Sequence, residues 1–180
     1  SPLVTAAAGY AGGIAGKATE EAGTTILSPT ESNDNTADPK PFQIVSPTVN
    51  GKNAGGLFGN YIIKSRQMDY PASVNLNMPT ILTSGNGGGL FGVLDLQNTS
   101  SYTIDNFTFE CTKSGNENNS TYGSLIGQVK GTGTANAVYI NNCNVKSAFK
   151  YNNTRYHGGL IGMVGGDSQD KAIYVEVNGG

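Results

Sequence analysis

The sequence predicts an all-β chain folded as a parallel β-helix, a solenoid of about five coils in which residues 1–180 form a single repeat domain. Three observations predict it: a short glycine-rich motif recurs five times, a second apolar segment follows each copy in phase, and the composition disfavours helices. Glycine supplies 26 of 180 residues and charged residues only 13%, about double and about half their ordinary shares of ~7% and ~25%. Asparagine occurs 20 times, more than the 13 Asp and Glu together. Such a chain is rich in turns and weakly charged, which disfavours coiled coils, long exposed helices and charged tails.

The first element is Gly-Gly-apolar-x-Gly. It occurs as Gly12-Gly13-Ile14-Ala15-Gly16, Gly55-Gly56-Leu57-Phe58-Gly59, Gly88-Gly89-Leu90-Phe91-Gly92, Gly123-Ser124-Leu125-Ile126-Gly127 and Gly158-Gly159-Leu160-Ile161-Gly162, at offsets of 43, 33, 35 and 35 residues. Self-similarity of this period marks a stacked architecture, in which each repeat buries its apolar face against its neighbours. Between the first copy and its second element lie residues 28–41, rich in Pro, Asn, Asp and Ser, expected to form an exposed loop.

The second element reads Ile44-Val45-Ser46-Pro47-Thr48-Val49, Leu76-Asn77-Met78-Pro79-Thr80-Ile81, Ile104-Asp105-Asn106-Phe107-Thr108-Phe109 and Ile140-Asn141-Asn142-Cys143-Asn144-Val145. A fifth copy begins at Ala172-Ile173-Tyr174-Val175-Glu176-Val177. Aligned on the preceding motif, it places Val175 opposite Ile140, each 13 residues after the last motif glycine. Alternation of β-branched and aromatic residues with polar ones gives the period of two that belongs to strands. Stacked in parallel, the coils form two inner ladders: Leu57, Leu90, Leu125 and Leu160, and Ile44, Leu76, Ile104, Ile140 and Val175. Glycine is expected at the corners because they demand positive φ or a close approach of two backbones.

The motif at 158–162, preceded by Ile140-Asn141-Asn142-Cys143-Asn144-Val145, resembles the glycine-rich GLUG-type repeat of bacterial surface adhesins and of the stalk regions of secreted peptidases. The resemblance covers residue 42 to the end and implies a right-handed β-helix on a secreted or cell-surface protein. The implied role is adhesive surface or rigid spacer.

Other patterns give way to the repeat. Gly-Leu-Phe-Gly at 56–59 and 89–92 matches the unit of nuclear-pore barrier proteins, yet Phe58 and Phe91 keep phase with Ile126 and Ile161 and read as a packed ladder. The dinucleotide fingerprint within Gly87–Gly92 lacks the following helix. His157 precedes Gly158 as Tyr122, Gly87 and Ala54 precede their motifs, which reads as a tolerant surface column. For a carbohydrate-active β-helix enzyme, a third reading, the candidate carboxylates are Asp105 and Glu176, sharing a column two coils apart and too distant for a retaining mechanism. Asp95 and Lys130 share another column and read as a cross-coil ion pair. Cys111 and Cys143 fall too far apart along the strand for a disulfide and are expected as free, buried thiols. Five glycosylation sequons, at Asn98, Asn106, Asn118, Asn119 and Asn152, follow from Asn richness alone.

The expectation is a non-enzymatic chain with no catalytic residue, metal or cofactor. A net charge of −2 and scattered Lys and Arg offer no footprint for nucleic acid, and no apolar run approaches the ~20 residues of a membrane helix. Tyr139 and Tyr174, adjacent in one ladder, and Asn141 are the candidate binding residues, for a glycan or a host-surface protein. The repeat breaks off within a unit at Gly179-Gly180, which exposes Ile173, Val175 and Val177. This predicts coverage by further chain or self-association through the open solenoid ends, the latter making the chain an extracellular filament subunit.

Overall fold

The computed structural model describes residues 3–20, 42–64, 67–70, 74–113, 120–149 and 155–179; the loop expected at 28–41 lies outside them. The described residues form strands, with every paired strand parallel to its neighbour. The chain winds through β1 (Leu3–Gly12), β2 (Ala15–Glu20) and β3 (Phe42–Val45), then β4 (Thr48–Gly55), β5 (Phe58–Lys64), β6 (Gln67–Asp69) and β7 (Val74–Asn77). The third winding holds β8 (Thr80–Gly88), β9 (Phe91–Gln97) and β10 (Ser101–Asp105). The fourth holds β11 (Thr108–Lys113), β12 (Thr121–Gly123), β13 (Ile126–Gly131) and β14 (Asn136–Asn141), and the last β15 (Asn144–Phe149), β16 (Tyr156–Gly158), β17 (Ile161–Val164) and β18 (Ile173–Asn178).

Stacking sorts these strands into a sheet of β1, β4, β8, β11 and β15 with β12 and β16 alongside, a sheet of β2, β5, β9, β13 and β17, a sheet of β6, β10, β14 and β18, and the pair β3–β7. Three of the windings are stacked on both sides, so the solenoid amounts to about three full turns between its two end windings, fewer than the five coils expected. Among the described residues only the middle windings have neighbours on both sides, and there the motif strands β5, β9 and β13 are buried, whereas β2 and β17 are partly exposed end rungs.

The motif forms the vertex between the first two sheets. Leu57, Leu90 and Leu125 are fully buried as expected, and Phe58, Phe91, Ile126 and Ile161 pair in register beside them. Phe58 stacks on Phe91 with centroids 6.2 Å apart, while Tyr102 meets Phe91 edge-on at 5.4 Å, arrangements aromatic quadrupoles favour. The vertex glycines answer to crowding, not to positive φ. A Cβ on Gly55, Gly88 or Gly123 would lie 2.6, 2.6 or 2.5 Å from the amide nitrogen of Gly92, Gly127 or Gly162 in the next winding. Gly159 departs from this expectation: nothing lies within 4 Å of its Cβ position.

The second ladder is not continuous. Ile44 pairs with Leu76 and Ile104 with Ile140, but β10 lies beside β6, not β7. The second winding spends 17 residues from Gly59 to Leu76 where the third spends 12 from Gly92 to Ile104, so the cross-section changes between them. In the last winding Ile140 pairs with Val177, not Val175. The turn through Gly165 and Gly166, at φ 73° and 111°, takes up the two extra residues, and a slip of two preserves which side chains face inward.

Positive φ appears instead where the second element turns, at Ser46, Met78, Asn106 and Asn142 (φ 46°, 45°, 50° and 51°), with Gly179 continuing the series at 71°. Asparagine tolerates this left-handed conformation better than most residues, which accounts for part of its abundance.

Candidate functional site

The candidate binding residues lie on the outer face of the β10–β14–β18 sheet. Strand alternation turns Tyr102, Ile104, Val138 and Ile140 into the core, where each is essentially fully buried, and therefore turns Thr103, Asp105, Tyr139 and Asn141 outward. Because of the two-residue slip, Tyr139 stands opposite Glu176, and Tyr174 opposite Ala137. The tyrosines are thus diagonal neighbours and not the direct pair expected. Their rings still meet, with centroids 6.0 Å apart at 57°, within the reach of diagonal cross-strand pairs. Tyr174 is 56% exposed and Tyr139 half-buried.

Side-chain hydrogen bonds order this face. Asn178 Nδ2 donates to Glu176 Oε1 at 2.5 Å, and the Tyr174 hydroxyl donates to Glu176 Oε2 at 2.6 Å. These donors hold the Glu176 carboxyl below the usual range, and the bond to Glu176 raises the Tyr174 hydroxyl. Asn178 Nδ2 also donates to Asn141 Oδ1 at 3.2 Å, linking the two windings through a short amide ladder. The face thus presents an aromatic pair bordered by an ionised carboxylate and fixed amides, a set that packs on an apolar ring face while hydrogen-bonding its rim. A carboxyl held low is poorly suited to donate a proton as a general acid.

The other candidate residues separate. Asp105 pairs with Asn141 and that with Asn178, so Glu176, opposite Tyr139, does not share the Asp105 column. Lys130 stands opposite Asp95 but pairs with Asp167 instead, because the turn after β17 brings that carboxylate over it. Cys111 stands opposite Ser147 and both cysteines are free; Cys111 is buried, but Cys143 is only half-buried, being nearer the last winding. Burial pushes the Cys111 thiol up to about 11. His157, exposed on the last winding as expected, ends the column Ala11, Ala54, Gly87, Tyr122, but the rest of that column is buried and not a tolerant surface. Ala54 and Tyr122 are buried, and a Cβ on Gly87 would meet the Tyr122 ring at 2.6 Å. The Tyr122 hydroxyl accepts from the Thr83 amide beyond it at 3.1 Å. Of the sequons, Asn98 and Asn106 are exposed at positive-φ turns, and Asn118, Asn119 and Asn152 lie outside the described residues.

One constellation was not anticipated. Asn86 Nδ2 donates to Asn53 Oδ1 and to Gln128 Oε1, both at 3.0 Å, and Gln128 Nε2 donates to the Gly165 carbonyl at 2.8 Å. This amide staircase ties four windings together along the outside of the vertex. It ends in a depression of about 280 Å³ bordered by Arg155, Tyr156 and Met163. The signal was available: Asn53 and Asn86 both stand two residues before a motif.

No family model, curated protein or solved structure matches the chain. The class is therefore defined by the architecture, a parallel β-solenoid. On it the β14–β18 sheet carries an ordered aromatic and amide face.

Proposed function

We propose that the chain is a non-enzymatic segment of a secreted or cell-surface protein, an adhesive surface carried on a rigid spacer, in keeping with its resemblance to GLUG-type repeats. The observation that carries the reading is the outward-facing Tyr139–Tyr174 pair, with Tyr174 exposed, beside the Asn141–Asn178–Glu176 hydrogen-bonded set. A saccharide ring stacks its C–H face on such tyrosines and exchanges hydrogen bonds with the neighbouring amides and carboxylate; a tyrosine- or amide-bearing protein surface is served by the same groups. The experiment is binding of the chain to an immobilised glycan panel and to host-cell surface extracts, with Tyr174→Ala alongside. Binding that falls at least tenfold in the variant, at unchanged melting temperature, is the expected result. Retention of all binding by the variant would overturn the assignment of this face.

A further inference from the structure

The depression where the amide staircase ends has a definite hydrogen-bonding polarity. From it we infer a second binding site, for a small carboxylate that also carries hydroxyls, the chemistry of an acidic sugar residue. The depression holds about 280 Å³ and is lined by side chains of three successive windings: Asn86 on β8, Thr121 and Gln128 on β12 and β13, and Arg155, Tyr156 and Met163 on the last. Spanning windings in this way, it opens on the flank of the solenoid, on different sheets from the Tyr139–Tyr174 face. Stacking along the solenoid axis leaves a flank open. Its volume lies at the lower end of the ~300–1,000 Å³ usual for small-molecule sites, which suits one ring and not a chain.

The staircase fixes what each group offers. Both Nδ2 hydrogens of Asn86 are committed, to Asn53 Oδ1 and Gln128 Oε1, so the amide cannot turn and its Oδ1 stays an acceptor. Gln128, only 4% exposed, is held in turn by Asn86 and by the Gly165 carbonyl. Thr121 lines the depression at 5% exposure, and its hydroxyl has no hydrogen-bond partner among the described residues. Leaving a buried hydroxyl unpaired is costly, and a ligand in the depression removes that cost. Arg155 supplies the charge. Its guanidinium lies 5.1 Å over the Tyr156 ring, which steadies the planar fork, and it has no carboxylate partner among the described residues. Asp167 also borders the depression but pairs with Lys130. The site therefore offers a guanidinium fork to a carboxylate, with a fixed acceptor and a free hydroxyl beside it for ligand hydroxyls. A cationic ligand would find no unpaired carboxylate there, and an apolar one would bury Thr121 unsatisfied.

The test is titration of the 180-residue chain with glucuronate and galacturonate, followed by NMR chemical shifts, against glucose, galactose and lactate at equal ionic strength. Saturable binding of a uronate is expected, at least tenfold tighter than that of its neutral sugar or of lactate. Arg155→Gln is expected to weaken it by about tenfold or more, the loss that follows removal of a charge-assisted hydrogen-bond pair, and Thr121→Val by about threefold or more. Both variants are expected to keep the parent's melting temperature. Tyr174→Ala, which alters the other face, is expected to bind uronate like the parent, so this site and that face stand or fall separately. Absence of saturable uronate binding would overturn the inference, as would undiminished binding by Arg155→Gln. Lactate bound as tightly as the uronates would overturn the sugar assignment, and a loss confined to Tyr174→Ala would move the binding to the β14–β18 face.

Discussion

Two glycine positions and one methionine show how differently the same backbone treats a side chain. At Gly88 a Cβ would fall 2.1 Å from the Phe91 carbonyl and 2.6 Å from the Gly127 nitrogen, so Gly88→Ala has to move backbone. A loss of about 1–3 kcal/mol or more is expected by denaturant unfolding, whereas Gly159→Val, with open space around its Cβ position, is expected to cost the fold nothing measurable. Met78, 42% exposed, holds φ 45° where its counterparts Asn106 and Asn142 are better suited. Met78→Asn is accordingly expected to raise stability by up to ~1 kcal/mol, and a lower urea midpoint would show that the methionine side chain contributes packing instead. Cys111 gives a pH dependence with a definite sign. Its thiol titrates near 11 in the fold because of burial, against about 8.5 unfolded. The unfolded chain thus loses the proton first, and the stabilisation, complete below about pH 8.5, fades as pH rises towards 11. Cys111→Ala is expected to flatten the alkaline limb of a stability–pH curve, and native Cys111 to resist alkylation at pH 8 that modifies the unfolded chain.

At the scale of elements, the motif strands were legible because three constraints coincide in five residues: backbone crowding at the glycines, a buried leucine, and a bulky partner in register. The second element carried one constraint, an apolar residue two before a left-handed turn, and a single constraint tolerates slippage. Ile140 could be matched to Val175 or Val177 with the same inward face, and equal spacing from the motif favoured the wrong one. The break between Leu76 and Ile104 was visible as a five-residue difference in spacing, but spacing alone does not say which strand becomes the neighbour. The binding face was legible in its residues and not in its contacts, since the Tyr139–Tyr174 geometry and the role of Asn178 both depend on that slip. Burial makes a further distinction testable. Leu125, fully buried, is expected to lose about 2–5 kcal/mol on truncation to Ala, and Leu160, partly buried at the last rung, clearly less. Equal losses would mean that the last winding is covered in solution.

For the whole molecule, the vertex bonds run one way. The peptide unit between Gly56 and Leu57 accepts from Gly13 N–H and donates to Leu90 O; the unit between Leu90 and Phe91 accepts that bond and donates onward to Leu125 O, and the next donates to Leu160 O. Peptide dipoles joined head to tail add, as they do along an α-helix, although an ordinary sheet has little net dipole. The vertex is therefore an electrical axis embedded in a β fold, positive at the last winding and negative at the first. Each winding adds to that axis without reversing it, so its moment grows with the number of windings the solenoid stacks.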